Sequence, residues 1–117
     1  MNVTLPVRGK TDRPDIIWII TTQWRGQATG YAGDQNAHTP FLDQLSLESA
    51  NFPNAYSNHP FGSFARASLL TGRLSPRNGV SDYFDPLPEN ARTIAHELRE
   101  SGYQTGYIGK WHLYKRS

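Results

Sequence analysis

The sequence predicts an α/β chain, a partial and mostly parallel sheet flanked by helices. Three observations lead there. Ile16, Ile17, Trp18, Ile19 and Ile20 form an unbroken apolar run rich in β-branched residues, the pattern of a strand buried on both faces. Ala91, Ile94, Ala95 and Leu98 recur at helical spacing and stop before Gly102. Residues 103–108 then read as a second strand, so strands and helices alternate as in parallel-sheet proteins.

Each element follows in order. Residues 1–14 read as a polar leader ending at Pro14, and residues 15–117 as one domain or a piece of a larger one. The strand at 16–20 delivers Thr21, Thr22, Gln23, Trp24 and Arg25 at its C-terminal end, followed by a glycine-bearing loop over 26–33. Thr39 suits a helix cap and Pro40 the first helical position, with Phe41, Leu42 and Leu45 as the apolar stripe. Residues 51–56 form a short extended piece in which Pro53 suggests an edge. The spacing predicts a helix over 65–71, with Leu69 and Leu70 inward and Gly72 as C-cap. Residues 74–90 hold three prolines and Gly79 and read as loop. The helix around 91–98 and the strand at 103–108 complete the series, and Gly109, Lys110, Trp111 and His112 leave that strand's C-terminal end.

Composition narrows the class. A hydrophobic share of 37% with 12% aromatics in 117 residues argues for a folded chain over a disordered one. The absence of cysteine removes disulfides, thiolate metal sites and a cysteine nucleophile. Twelve Lys and Arg against ten Asp and Glu leave a net charge of +2 with no block of like charge, so neither nucleic acid nor a membrane is an expected partner. The N-terminus lacks the apolar segment of a signal peptide, which predicts a cytoplasmic chain. The Asn2-Val3-Thr4 sequon carries no weight without export.

Ligands of open α/β sheets collect beyond the carboxyl ends of the strands. Three segments would meet there: residues 21–25, the start of the 65–71 helix, and residues 110–112. Backbone N–H groups at that helix start, with Arg66 in its first turn, favour an oxyanion such as sulfate or phosphate. Lys110 and His112 would face one side if strand geometry continued, one as a point charge and the other as an acid or base near neutral pH. Taken singly, Arg66 also reads as a solvated helix charge and His112 as an ordinary residue at a strand end. His38, His59 and His96 lack metal-ligand spacing.

Four blocks of residues add a more specific signal. Arg13-Pro14-Asp15-Ile16-Ile17-Trp18-Ile19-Ile20, then Gln23-Trp24-Arg25-Gly26, resembles the opening strand and first site loop of the sulfatases of the alkaline-phosphatase superfamily. His38-Thr39-Pro40-Phe41-Leu42-Asp43-Gln44-Leu45 is similar to that family's H-T-P-N-L-D-x-L helix. Ala65-Arg66-Ala67-Ser68-Leu69-Leu70-Thr71-Gly72-Arg73 is similar to the tail of the signature C/S-x-P-x-R-x-x-x-L-x-T-G-R. Gly102-Tyr103 through Gly109-Lys110-Trp111-His112-Leu113 resembles the G-Y-x-T-x-x-I-G-K-W-H-L block. The four occur in the family's order, over the N-terminal part of its catalytic domain.

The resemblance implies sulfuric ester hydrolysis, with calcium or magnesium as the family's metal and a formylglycine, made from Cys or Ser, as nucleophile. Counting back four from Arg66, the nucleophile position is Gly62, which has no side chain to oxidise or attack with. Ser63 stands one residue off register, and Phe64 replaces the proline of the signature. The metal-binding Asp expected at the end of the first strand is Thr22, a poor substitute around a hard divalent cation. Arg66, Lys110 and His112 match positions where the family holds the nucleophile and the sulfate oxygens. No cofactor is therefore expected in this chain, and its expected ligand is sulfate or a sulfate ester, bound weakly. Three readings stay open. They are a truncated or degenerate pseudoenzyme inactive by itself, an active sulfatase completed by a separate C-terminal half, and a non-catalytic anion- or partner-binding protein. The strands at 16–20 and 103–108, lacking elements to cover them, predict self-association.

Overall fold

A computed structural model describes residues 13–114 of the chain. The leader expected over 1–14 lies almost wholly outside the described residues. The chain divides into two compact units, Met1–Pro53 and Asn54–Ser117.

In the first unit the apolar run at 16–20 is irregular chain, where a strand was expected. Ile17 and Ile19 are 85% and 82% exposed. A parallel strand exists only when neighbours take its N–H and C=O groups, and among the described residues no ladder forms on this run. Downstream, a 3-10 turn at Gly30–Ala32 precedes helix α1, Pro40–Glu48. Thr39 and Pro40 open α1 as the sequence predicts, but Thr39 does not cap it with its side chain. Its hydroxyl accepts the Gly30 N–H at 2.8 Å and donates to Asp43 Oδ1 at 2.8 Å. The Tyr31 N–H donates to the same carboxylate oxygen at 2.8 Å. A Cβ at Gly30 would collide with the Asp43 carboxylate, so glycine is what lets turn and helix join. The stripe of Phe41, Leu42 and Leu45 is exposed, and no residue of α1 is buried.

The second unit carries α2, Gly62–Thr71, and α3, Ile94–Glu100. α2 begins three residues before the predicted start, and it ends as predicted on Gly72 in the left-handed region, φ 67°. Its buried residues are Ser63, Arg66, Ala67, Ser68 and Leu70. Four of these fall at i, i+3, i+4 and i+7, so the inward stripe is 63, 66, 67 and 70. Leu69, expected inward, lies off that stripe and is 47% exposed.

Ala67, Leu70, Val80 and Leu113 form the core, with Phe64, Leu87 and Trp111 packed around it. Buried Asn78 fastens the loop carrying Val80. Its amide nitrogen donates to Ser68 Oγ and the Arg73 carbonyl, and its oxygen accepts the Val80 N–H at 3.0 Å. The Leu87 N–H donates to the Leu113 carbonyl at 3.1 Å, tying the 81–88 loop to the segment after Trp111.

Residues 103–108 form no strand, a second correction to the predicted sheet, and Ile108 is fully exposed. The cause is the same as at 16–20, an apolar segment without a hydrogen-bonded neighbour. No strand occurs among the described residues, and none of their helices is long and apolar enough to cross a membrane.

Candidate functional site

The site is built at the N-terminus of α2. Phe61 precedes the helix in extended conformation, and its N–H donates to His59 Nδ1 at 3.1 Å. The His59 ring also lies against Phe64, centroids 4.1 Å apart. One imidazole therefore fixes both the approach to α2 and its first turn. Sequence reasoning assigned His59 nothing, because its partners are a backbone amide and a ring that only the turn brings near.

Gly62 is the first residue of α2, and a Cβ placed there would lie 3.1 Å from His112 Nδ1 and 3.4 Å from its Cε1. Position 62 and the His112 imidazole thus face each other, although fifty residues separate them. His112 has φ 61°, in the left-handed region that a residue with a Cβ seldom adopts. That conformation contradicts the expectation that strand geometry continues through residues 110–112, and with it the argument that Lys110 and His112 share a face. Backbone outliers of this kind cluster at functional sites. Gln23, beside Thr22 in the first unit, is the other non-glycine outlier among the described residues, φ 55°.

Arg66 sits one turn along α2 and is only 8% exposed. Its Nη1 donates to the Lys110 carbonyl at 2.8 Å and to the Tyr107 hydroxyl at 3.3 Å, and that hydroxyl donates to the same carbonyl at 2.5 Å. Trp111 packs edge-on against Tyr107, centroids 5.2 Å apart. Lys110 enters this cluster through its backbone oxygen, while the residue itself is exposed. Among the described residues no carboxylate pairs with Arg66, and its Nε and Nη2 donors are unspent. A guanidinium held this way, at a helix N-terminus, has the geometry to receive an oxyanion.

The structure therefore brings Gly62, Arg66 and His112 together in the second unit. Thr22 belongs to the first unit, where it is exposed. Ser63, the hydroxyl nearest the nucleophile position, is fully buried on the inward stripe, and its Oγ has no hydrogen-bond partner among the described residues. It faces the core and is closed to a substrate. No group of three or more His, Asp or Glu able to hold a metal ion occurs among the described residues. Position 22 carries a neutral hydroxyl, a weaker donor than a carboxylate for calcium or magnesium.

Comparison with known proteins agrees with the motifs. The sulfatase family model matches residues 14–117. An ulvan-active sulfatase of Formosa agariphila is 44% identical over 112 residues, 94% of this chain and 22% of that protein. An N-acetylglucosamine-6-O-sulfatase of Bacteroides thetaiotaomicron is 35% identical, covering 92% of this chain and 19% of its own length. The human N-acetylgalactosamine-6-sulfatase is 32% identical, at 90% and 23% coverage. The chain thus spans about a fifth of the length of the curated relatives it matches. No solved structure matches it. With the family's residues in order from 14 to 117 and its helix N-terminus facing His112, the chain belongs to the sulfatase family, as the N-terminal part of its domain.

Proposed function

We propose that this chain forms the sulfate-facing part of a sulfatase and, by itself, binds sulfate or a sulfate ester weakly without hydrolysing it. The observation that carries this reading is the register at position 62. The backbone there faces the His112 ring at the start of α2, where the family's nucleophile stands, and the residue is glycine. Without a nucleophile no covalent sulfate intermediate forms. Arg66 offers its remaining guanidinium donors to the sulfate oxygens, exposed Lys110 adds a positive charge, and His112 adds an imidazole on the same side as position 62. Such binding holds substrate and transition state alike, so it does not lower the chemical barrier. The family's fold is α/β and its members use a divalent metal, but no metal-dependent step follows from the donors in this chain.

The test is an aryl sulfate assay on the purified chain, with and without calcium or magnesium, beside thermal stabilisation by inorganic sulfate. Expected are no turnover and a sulfate-dependent rise in melting temperature that Arg66→Ala abolishes. Turnover above a Lys110→Ala control would falsify the inactive reading. A second reading, hydrolysis completed by a separate chain carrying the rest of the domain, draws support from the exposed run at 16–20, an apolar surface a partner would cover. Mixing this chain with the C-terminal remainder of a related sulfatase decides it. On the first reading the mixture stays inactive until position 62 and position 22 are both repaired.

A further inference from the structure

We infer that Asn78–Gly79 is a deamidation site that folding closes and unfolding opens, so that the chain is converted irreversibly once the loop around it comes loose. The inference is independent of the sulfate-binding reading above.

The chemistry lies in the pair itself, the only Asn-Gly pair in the sequence. The glycine nitrogen can attack the asparagine Cγ, forming an N–Cγ bond and a five-membered succinimide. The Cγ–Nδ2 bond breaks, and ammonia leaves with the proton of the attacking amide. Water then opens the ring at either carbonyl and leaves aspartate or isoaspartate, with no change of oxidation state. Glycine has no side chain to hinder this attack, so the step runs faster there than before a bulkier residue.

The fold requires both residues. Gly79 has φ 86°, and a Cβ there would collide with the Pro88 ring. Asn78 is buried and uses both ends of its amide. Its Nδ2 donates to Ser68 Oγ at 3.3 Å and to the Arg73 carbonyl at 3.0 Å. Its Oδ1 accepts the Val80 N–H at 3.0 Å and the Ser75 hydroxyl at 3.3 Å. A backbone N–H can pair only with the oxygen, which fixes the orientation of the amide. Packing thus selects the most reactive pairing an asparagine can have.

The same bonds hold the reaction off. Attack needs the Asn78 side chain to turn until its Cγ meets the Gly79 nitrogen, which breaks its hydrogen bonds to Ser68, Arg73, Val80 and Ser75. The Gly79 N–H is itself donated to the Pro76 carbonyl at 2.9 Å. Deamidation therefore tracks the fraction of chains in which the 75–80 loop has opened. The product does not restore the loop. A carboxylate at position 78 has no proton for the Arg73 carbonyl and sets a buried negative charge against it. Isoaspartate also lengthens the main chain just before Val80, a core residue.

The experiment incubates the full chain at neutral pH in buffer and in guanidinium chloride, and follows by mass spectrometry the tryptic peptide that begins at Asn78. That peptide also holds Asn90, exposed and followed by Ala91, as an internal reference. In denaturant Asn78 is expected to deamidate well ahead of Asn90. In buffer its rate should fall about tenfold or more, the share of open chains that a fold with a small core allows. Asn78→Asp, the product made directly, should lower the melting temperature, and Asn90→Asp should leave it unchanged. Equal Asn78 rates in buffer and denaturant overturn the proposal, as does an Asn78 no faster than Asn90 in denaturant. An Asn78→Asp chain with an unchanged melting temperature overturns it as well.

Discussion

Ser63 and Arg66 are polar residues on the helix face whose Ala67 and Leu70 join Val80 and Leu113 in the core. The two pose opposite energetic problems. Arg66 keeps its charge in place through the Lys110 carbonyl and the Tyr107 hydroxyl, whereas the Ser63 hydroxyl is buried without a partner among the described residues. An unsatisfied buried hydroxyl costs about 1–3 kcal/mol. Ser63→Ala is therefore expected to stabilise the chain by about 1 kcal/mol in urea denaturation, since it removes that penalty and leaves little void. Ordinary loss of stability would mean that Ser63 has a hydrogen bond. Sulfate binding should be untouched by this change, because the Ser63 hydroxyl is fully buried and takes no part in the hydrogen bonds of Arg66. His112 carries the other residue-scale feature. Its positive φ brings its ring to position 62 and cannot be inferred from residue type.

At the scale of elements, α3 stands on local bonds more than on burial, because none of its residues is fully buried. Thr93 and His96 form a capping box, in which the Thr93 N–H donates to His96 Nδ1 at 3.1 Å. Thr93→Ala should cost about 1 kcal/mol and fray the first turn, measured by amide exchange over 94–97. The other end is fastened by Arg92, which reaches Glu97 at 2.9 Å and Glu100 at 2.7 Å. Hydrogen bonding to Arg92, then its charge, holds the Glu100 carboxyl below the usual carboxylate range. The sign follows. A lowered folded pKa contributes stability that is complete above the unfolded value of about 4.3 and is lost as pH falls through the folded one. Protection of the α3 amides should stay flat from neutral pH to about 5 and fall below about 4, by little, because the pair is solvent-exposed. Arg92→Ala should remove the pH dependence. Persistence of the full acid response in that variant would assign it elsewhere.

The molecule as a whole has four buried apolar residues among those described, Ala67, Leu70, Val80 and Leu113, all in the second unit. Burying a Val or Leu side chain contributes about 1.5–3 kcal/mol, so a core of this size leaves little reserve against the entropy of ordering the chain. Meanwhile Ile17, Ile19 and Ile108 lie open to solvent. Exposed apolar surface seeks cover, and the run at 16–20 can also pair edge to edge with another copy. Concentration-dependent sedimentation and a broad, shallow melt are expected for the purified chain. A clean monomer with a sharp cooperative transition would contradict this.

The sequence by itself determined the family, from four ordered motifs, and the departures from those motifs at Gly62 and Thr22. Local physics was equally legible. Pro40 at a helix start and Gly72 at a helix end follow from backbone preferences that act within a few residues, and the periodicity at 91–98 finds the third helix, which runs over Ile94–Glu100 and leaves Ala91 outside it. What only tertiary structure decided was which groups meet. The hydrogen-bonded cluster of Arg66, Tyr107 and the Lys110 carbonyl spans more than forty residues of chain. The apposition of His112 to position 62 needs a left-handed backbone that no periodicity announces. The inward stripe of α2 runs through Ser63 and Arg66, where a hydrophobic reading favours Leu69. The predicted strands failed for the same reason. A strand's hydrogen bonds are made with other segments, so an apolar run such as 16–20 states a capacity for pairing that its neighbours must fulfil.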